Sequence, residues 1–418
     1  MIIGLRPIWH LFSAVHPLPF ATLSNFKKSL LLMRNYFVVL FSLLSMSLTT
    51  AAPAIIPAPP QIAASSYILI DADSGKVITE ANADERLPPA SLTKLMTSYV
   101  LSFEIEQGNV SNDDMVTISN NAWAQNPVFS GSSLMWIEVG KQVKLDDLHK
   151  GVVISSGNDS SVAVAEHLAG SESAFADVMN QHAQVLGMKD SHFVNSHGLP
   201  APEHYMTARD LATLSREILK FPAEYALYSE PDFTYNNIRQ INRNRLLWKD
   251  ESIDGLKTGY TKEAGYCLVA SAKKNGMRLI SVVMGAKSQS GREKESQKLL
   301  AYGFRYFETY QIYSVGDELS SSKVWAGETD QVKLGVERDI HLTIPRGKHK
   351  DIKAVINLTE VISAPVTKGK EYGELVVTLD GEELLHEPLL ALESVEEGGL
   401  FKRLWDAIVL FFISLLNF

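Results

Sequence analysis

Hydrophobic and polar positions change their period along this 418-residue chain. In SSYILIDADSGKVITEAN (65–82) they alternate on either side of Asp73-Ser74-Gly75, which predicts a hairpin. GYCLVASAKKNGMRLISVVMGA (265–286) predicts a second, turning at Asn275-Gly276. In PPASLTKLMTSY (88–99), Leu92, Leu95, Met96 and Tyr99 share one helical face, entered through two prolines whose fixed φ suits a first turn. Lys94 sits at the edge of that face, one turn after Ser91. GVVISSGNDSSVAVAEHLAG (151–170) sets Ser156-Gly157-Asn158 just before a helical run. TARDLATLSREILK (207–220) and GREKESQKLLAYGFRYFETY (291–310) predict amphipathic helices. Beyond about Phe307 the runs KVWAG, DIHLTIP, IKAVINL and ELVVTLDG are short and strand-like. The pattern therefore predicts a mixed α/β domain over 63–306, then a small all-β domain over 307–396.

Both ends carry apolar segments. Lys27, Lys28 and Arg34 precede YFVVLFSLL (36–44), and small residues follow, the form of an export signal over 1–51. Met33 would open a more usual signal, so residues 1–32 read as an over-extended start or a long basic region. At the other end, LFKRLWDAIVLFFISLLNF (400–418) puts Lys402, Arg403, Asp406, Ser414 and Asn417 near one helical stripe, broken by Leu410. Its uninterrupted apolar part is far shorter than the roughly 20 residues that span a bilayer. This predicts an amphipathic helix over 399–418 that lies in a membrane interface, with Gly398 and Gly399 uncoupling it from the body.

Composition narrows the function classes. A net charge of −9 supplies no basic field for nucleic acid, and a single cysteine, Cys267, excludes an internal disulfide framework. The 11 histidines are scattered without a His-Glu-x-x-His, so no zinc site is expected and no cofactor is implied.

The chemistry lies in three short motifs. A serine becomes a nucleophile when a base takes its proton, and a lysine can be that base only when neutral, which burial and a neighbouring cation favour. Ser91 and Lys94, three apart on a helix, can meet. Ser-x-x-Lys also occurs at Ser24, Ser271 and Ser320, Ser-x-Asn recurs at Ser119, and Asn158 or Asp159 could simply cap a helix. DGLKTGYTKEAGYCLVASA (254–272) holds a Lys-Thr-Gly, which alone could be a turn.

In this order, however, the three resemble the motif set of serine acyl-transferring penicillin-binding proteins and β-lactamases. NRNRLLW (242–248), DGLKTGYT, GYCLVASA, RLISVVMGA, GSSLMWIEVG (131–140), NSHGL (195–199) and LTIPRG (342–347) are similar to the D-alanyl-D-alanine carboxypeptidases of the low-molecular-mass group. The resemblance implies a β-lactamase/transpeptidase-like catalytic domain, followed by the all-β domain and the terminal helix. It implies Ser91 as nucleophile, Lys94 as general base and Ser156 as proton relay. Asn158 would hold Lys94 and the substrate amide, and Lys257 and Thr258 would face the substrate carboxylate. Arg292, in SGRE, would be a second cation for that carboxylate and Arg243 a weaker one. Gly259 would let the strand approach the substrate, and the Ser91 and Tyr260 N–H groups would form an oxyanion hole. The charge of Lys257 would help keep Lys94 neutral. The partners implied are a peptidoglycan stem peptide, β-lactams as covalent inhibitors and a membrane surface, with the enzyme on the periplasmic face of a bacterial inner membrane. A D,D-endopeptidase, a weak β-lactamase or a catalytically silent wall scaffold are the other readings of the same residues. Tyr260 stands where many relatives carry a small polar residue or histidine, and Cys267 replaces a usual asparagine.

Overall fold

In the computed structural model, which describes residues 56–359 and 361–416, the two predicted hairpins become neighbours in one sheet. The expected export signal lies outside the described residues. Strands β1 (Ser66–Asp71) and β2 (Val77–Ala81) form the first hairpin. A 3-10 turn, Ala90–Thr93, runs into helix α1 (Lys94–Glu106). A small ribbon of β3 (Met115–Thr117) and β4 (Gln142–Lys144) leads to α2 (Leu145–Lys150), and a π-helical turn, Gly151–Ser155, leads to α3 (Asn158–Ala169). Next come α4 (Glu172–Val185), α5 (Ala208–Ile218), the short α6 (Pro222–Tyr225) and a ribbon of β5 (Asp232–Tyr235) and β6 (Ile238–Ile241). Strands β7 (Ile253–Thr261), β8 (Gly265–Lys274) and β9 (Met277–Ala286) then complete an antiparallel sheet of order β2-β1-β9-β8-β7, with β7 at its edge. At the β8–β9 turn Asn275 and Gly276 both have positive φ, as a two-residue hairpin turn requires.

Strand alternation splits this sheet's side chains between two cores. Ile68, Ile70, Val269, Ile280 and Val282 pack toward the helical body around α1. Leu69, Leu268, Ala270, Leu279 and Val283 pack with Leu299 and Leu300 of α7 (Gln289–Tyr306) on the opposite face. The α1 helix departs from the expected one-faced pattern. Its residues from Lys94 to Ser102 are all buried, because neighbours cover it on every side. Lys94 is thus fully inside the molecule.

Helix α7 is shorter than its periodicity suggests. It stops at Tyr306, and Phe307–Tyr310 enter strand β10 (Phe307–Tyr313), because pairing with residues 340–345 outcompetes continued helix there. From here to Ala391 the long elements are strands: β11 (Glu318–Trp325), β12 (Gln331–Gly335), β13 (Ile340–Pro345), β14 (Ile352–Leu358), β15 (Ile362–Ser363), β16 (Glu371–Leu379) and β17 (Glu382–Ala391). Six of them form a sheet of order β14-β16-β17-β12-β11-β15 over small apolar cores of their own. A polar knot ties this part to the first hairpin. The buried Asp71 accepts from Thr309 Oγ1 (2.6 Å) and from the N–H and hydroxyl of Ser74 (2.8 Å each), and Thr343 Oγ1 lies within bonding distance of both hydroxyls.

The terminal helix α8 (Leu400–Leu416) is seated by its polar stripe. Asp406 accepts the Ala326 N–H at 2.8 Å, Lys402 pairs with Asp330, and Arg403 reaches Glu397 at 2.6 Å. This corrects the expectation that both glycines uncouple the helix. Gly398 donates to Ala326 O at 2.8 Å and a Cβ there would lie 2.7 Å from Gly327 O, so only Gly399 stands in open space. Phe401, Leu404, Trp405, Phe411 and Phe412 are left exposed on the other side. Among the described residues no helix is long and apolar enough to cross a membrane.

Candidate active site

The sheet edge, the turn before α1 and the turn before α3 converge on one cleft of about 880 Å³. Ser91, Ser156, Asn158, Arg243, Thr258, Gly259, Tyr260 and Arg292 all line it. Ser91 comes from the 3-10 turn, not from the α-helix proper, and Lys94 opens the helix one turn later. Lys94 Nζ lies 3.4 Å from Ser91 Oγ, 2.7 Å from Asn158 Oδ1 and 2.6 Å from the carbonyl oxygen of His197. The last two are acceptors only and face two N–H bonds of the amine.

Burial drives the Lys94 amine down from 10.5 to about 7, with Arg243 adding to the fall and Asp159 and Glu172 opposing it. Arg243 is thus a cation acting on Lys94 beside Lys257, whose repulsion with Lys94 is mutual. Lys257 is itself pushed well below its ordinary value by burial and by Lys94, Arg243 and Arg292. A carboxylate brought against Lys257 would reverse this by favouring its ammonium. Lys257, Thr258 and Gly259 lie within β7, so Lys-Thr-Gly is strand rather than turn. Lys257 Nζ makes one hydrogen bond among the described residues, to Thr258 O at 3.3 Å. Buried Arg292 donates to Gly259 O (3.0 Å) and Cys267 O (3.4 Å), holding its guanidinium against β7.

Gly259 makes a contact beyond the one expected. A Cβ there would lie 2.9 Å from Pro89 O and 3.3 Å from Ala90 Cβ and Leu92 Cγ, so the missing side chain lets β7 close on the nucleophile's own turn. Gly198 is tighter still, with φ +88 and a Cβ that would fall 1.9 Å from Ala90 O. Tyr260 is 52 % exposed and its ring lies 4.3 Å from that of Tyr266 on the cleft wall. Cys267 is fully buried, and burial raises its thiol to about 11.

Ser156 adopts a left-handed backbone (φ 61, ψ 34) that ends the π-helical turn and turns the chain into α3. Its hydroxyl faces the cleft but is bonded to neither Ser91 nor Lys94 among the described residues. Asn158 is not a helix cap; Gly157 holds that position, and the Asn158 side chain bridges Lys94 and Ser132 Oγ (2.8 Å from Nδ2). Asp159 is no cap either. Its carboxylate accepts N–H groups from Met135, Trp136, Ile137 and Ser160 at 2.8–3.2 Å.

Three participants escaped sequence reasoning. Ser132 and the His197 carbonyl sit in GSSLMWIEVG and NSHGL, but neither a backbone carbonyl nor one serine among several leaves a signature in residue type. Asp159 looks like a capping residue in the sequence, since what it binds lies 22 to 24 residues away. Chemically, the cleft unites a hydroxyl, an amine close to half neutral at neutral pH, and the guanidinium groups of Arg243 and Arg292 for an anion, with Lys257 buried beside them. That set suits acyl transfer from a substrate bearing a carboxylate.

Comparison with known proteins agrees. The sequence profile described as D-alanyl-D-alanine carboxypeptidase matches residues 53–288, and that of the penicillin-binding protein 5 C-terminal domain matches 307–397. The chain is 49% identical to the D-alanyl-D-alanine carboxypeptidase DacA of Escherichia coli over 362 residues, covering 85% of this chain and 90% of that one. The crystal structure of penicillin binding protein 5 from Haemophilus influenzae superposes with a TM-score of 0.78 at 45% identity, covering 82% of this chain and all of the other. Penicillin-binding protein D2 from Listeria monocytogenes, solved in a cefotaxime-bound form, is 30% identical with a TM-score of 0.54 and covers 59% of this chain and 100% of its own. The fold is thus a transpeptidase-like catalytic domain with a C-terminal all-β domain, and the chain belongs to the D-alanyl-D-alanine carboxypeptidase family of serine peptidases.

Proposed function

We propose that this enzyme removes the terminal D-alanine from peptidoglycan stem peptides through an acyl-enzyme on Ser91, and that β-lactams trap the same serine. The observation that carries this reading is the bonding of Lys94. With both N–H bonds of a neutral amine committed to Asn158 Oδ1 and His197 O, its lone pair remains for the Ser91 hydroxyl. Ser91 Oγ attacks the carbonyl between the two D-alanines while Lys94 takes its proton. The Ser91 and Tyr260 N–H groups receive the oxyanion; one such donor typically contributes about 10²–10³ in rate. Ser156 passes a proton to the departing D-alanine nitrogen, and Lys257, Thr258, Arg292 and Arg243 hold the terminal carboxylate. Water then attacks the ester, releasing the shortened peptide and restoring Ser91 and Lys94. Incubation with a synthetic stem pentapeptide tests this reading. Release of one D-alanine per peptide, abolished in Ser91→Ala, supports it; release unaffected by Ser91→Ala refutes it.

The same proposal places the enzyme outside the cytoplasm, on the periplasmic face of an inner membrane. The basic, apolar and small-residue succession of residues 1–51 supports export. The helix α8, bound to the β-rich part by Asp406 and Lys402, turns Phe401, Trp405, Phe411 and Phe412 outward, as an interfacial anchor requires. Deletion of residues 400–418 is expected to move the protein from the membrane pellet to the soluble fraction; continued sedimentation with membranes would refute anchoring by this helix.

A further inference from the structure

Behind Lys94 stand two carboxylates that carry no part of the chemistry above. We propose that Asp159 and Glu172 are positioning residues for Lys94, each fixing the loop that supports one of the amine's two oxygen acceptors and each lending it negative charge. The inference rests on the reading of Lys94 as general base.

The first brace runs through Asp159. It is fully buried, and both carboxylate oxygens are occupied. Oδ1 accepts from Met135 N (2.8 Å) and Ser160 N (2.9 Å), and Oδ2 from Trp136 N (2.8 Å) and Ile137 N (3.2 Å). This pins residues 135–137, including Trp136 in a left-handed backbone (φ 72) that tryptophan rarely adopts. The same loop supplies Ser132 Oγ to Asn158 Nδ2 and Ser133 O to Asn158 N, each at 2.8 Å. Holding Nδ2 on Ser132 leaves Oδ1 as the end of the amide that faces Lys94.

The second brace runs through Glu172, at the start of α4. Its Oε1 accepts from Ser196 N (3.0 Å) and Ser196 Oγ (2.7 Å), and the His197 ring Nε2 lies 3.3 Å away. Because His197 Nδ1 accepts the Leu199 N–H, the ring proton sits on Nε2 and points at Glu172. These bonds fix the backbone whose carbonyl, His197 O, receives Lys94. Both carboxylates favour the Lys94 ammonium, against burial and Arg243. Lys257 also faces Lys94, and His197 and His204 stay neutral because burial and Lys94 hold them down to about 3 and about 4.

The two braces are separable by substitution. All Glu172 contacts fall on one oxygen, so Glu172→Gln can keep them through its carbonyl and lose only the charge. Asp159→Asn cannot, because one of two occupied oxygens becomes an N–H donor facing N–H donors. The experiment measures kcat/KM for D-alanine release against pH in the full-length enzyme and both variants, with thermal melts to confirm folding. In Glu172→Gln the acid limb is expected at lower pH than in wild type, so the ratio of activity near pH 6 to that near pH 9 rises while the plateau holds within about two-fold. In Asp159→Asn the plateau is expected to fall by about 10²-fold, the scale of a misplaced catalytic group. A Glu172→Gln limb that stays put or moves to higher pH overturns the electrostatic part. Wild-type kcat/KM in a folded Asp159→Asn overturns the bracing part. If Asp159→Asn does not fold, Glu172→Ala, which removes the second brace, decides the bracing part in its place: a lowered plateau in the folded variant supports it and a wild-type plateau overturns it. Absence of D-alanine release from the wild type would instead refute the functional reading beneath both.

Discussion

Lys94 offers the most quantitative prediction, because its role depends on a protonation state that pH controls. At about 1.4 kcal/mol per pH unit, the displacement from 10.5 to about 7 disfavours the ammonium by on the order of 5 kcal/mol. The group is completely enclosed, so solvent does not screen this away. At pH 7.5 about three-quarters of the amine is then neutral, against about one part in a thousand at the ordinary value, a gain of several hundred-fold in competent base. The free enzyme's kcat/KM for D-alanine release is therefore expected to rise along an acid limb with its midpoint near pH 7. Lys94→Arg keeps a cation that cannot be deprotonated, so Ser91 acylation should fall about 10²–10⁴-fold, the usual contribution of a general base, at every pH up to about 10. The assay is stopped-flow acylation by a fluorescent penicillin beside steady-state D-alanine release. An acid limb centred near pH 10, or Lys94→Arg acylating at the wild-type rate, would refute the reasoning.

Other consequences follow from the same structure. Because the folded enzyme releases the Lys94 proton at about 7 and the unfolded chain keeps it to 10.5, the cost to folding is complete below pH 7 and vanishes as pH rises through 10.5. Stability measured by urea unfolding should therefore increase over that window, with Lys257 acting in the same sense, and Lys94→Met should flatten the rise. Gly198→Ala forces a Cβ to 1.9 Å from Ala90 O at φ +88, so a loss of about 3 kcal/mol or more is expected, together with loss of acylation. Its milder counterpart, Gly259→Ala, should slow acylation by separating β7 from the Ser91 turn while leaving the melting temperature less affected. Thr309→Val removes the donor to buried Asp71 and should cost about 1–3 kcal/mol, seen as an earlier unfolding of the β-rich part against the catalytic part.

Much of the fold was legible because period and turn chemistry agree. Both large hairpins, the α5 segment and the change to strands at Phe307 follow from alternation, helical periodicity and the Asn275-Gly276 turn. The failures share a cause. Helix α1 was read as one-faced because no local signal shows that neighbours cover the other side, and α7 was read too long because β13 lies 33 residues further on. At the site, Ser91, Lys94, Asn158 and the Lys257–Tyr260 strand are marked by short motifs. The partners that tune them are not. Arg243 joins Lys257 in acting on Lys94, Gly259 meets Pro89 as well as lining the cleft, and Asp159 grips a loop more than 20 residues away. Each depends on tertiary approach, which periodicity cannot encode.

The most direct test of the central claim is peptide mapping by mass spectrometry after brief exposure to penicillin. Stoichiometric addition of the drug's mass to the tryptic peptide holding Ser91, strongly diminished in Lys94→Arg, is the expected result. An adduct on any other peptide, or an undiminished Ser91 adduct in folded Lys94→Arg at early times, would contradict it.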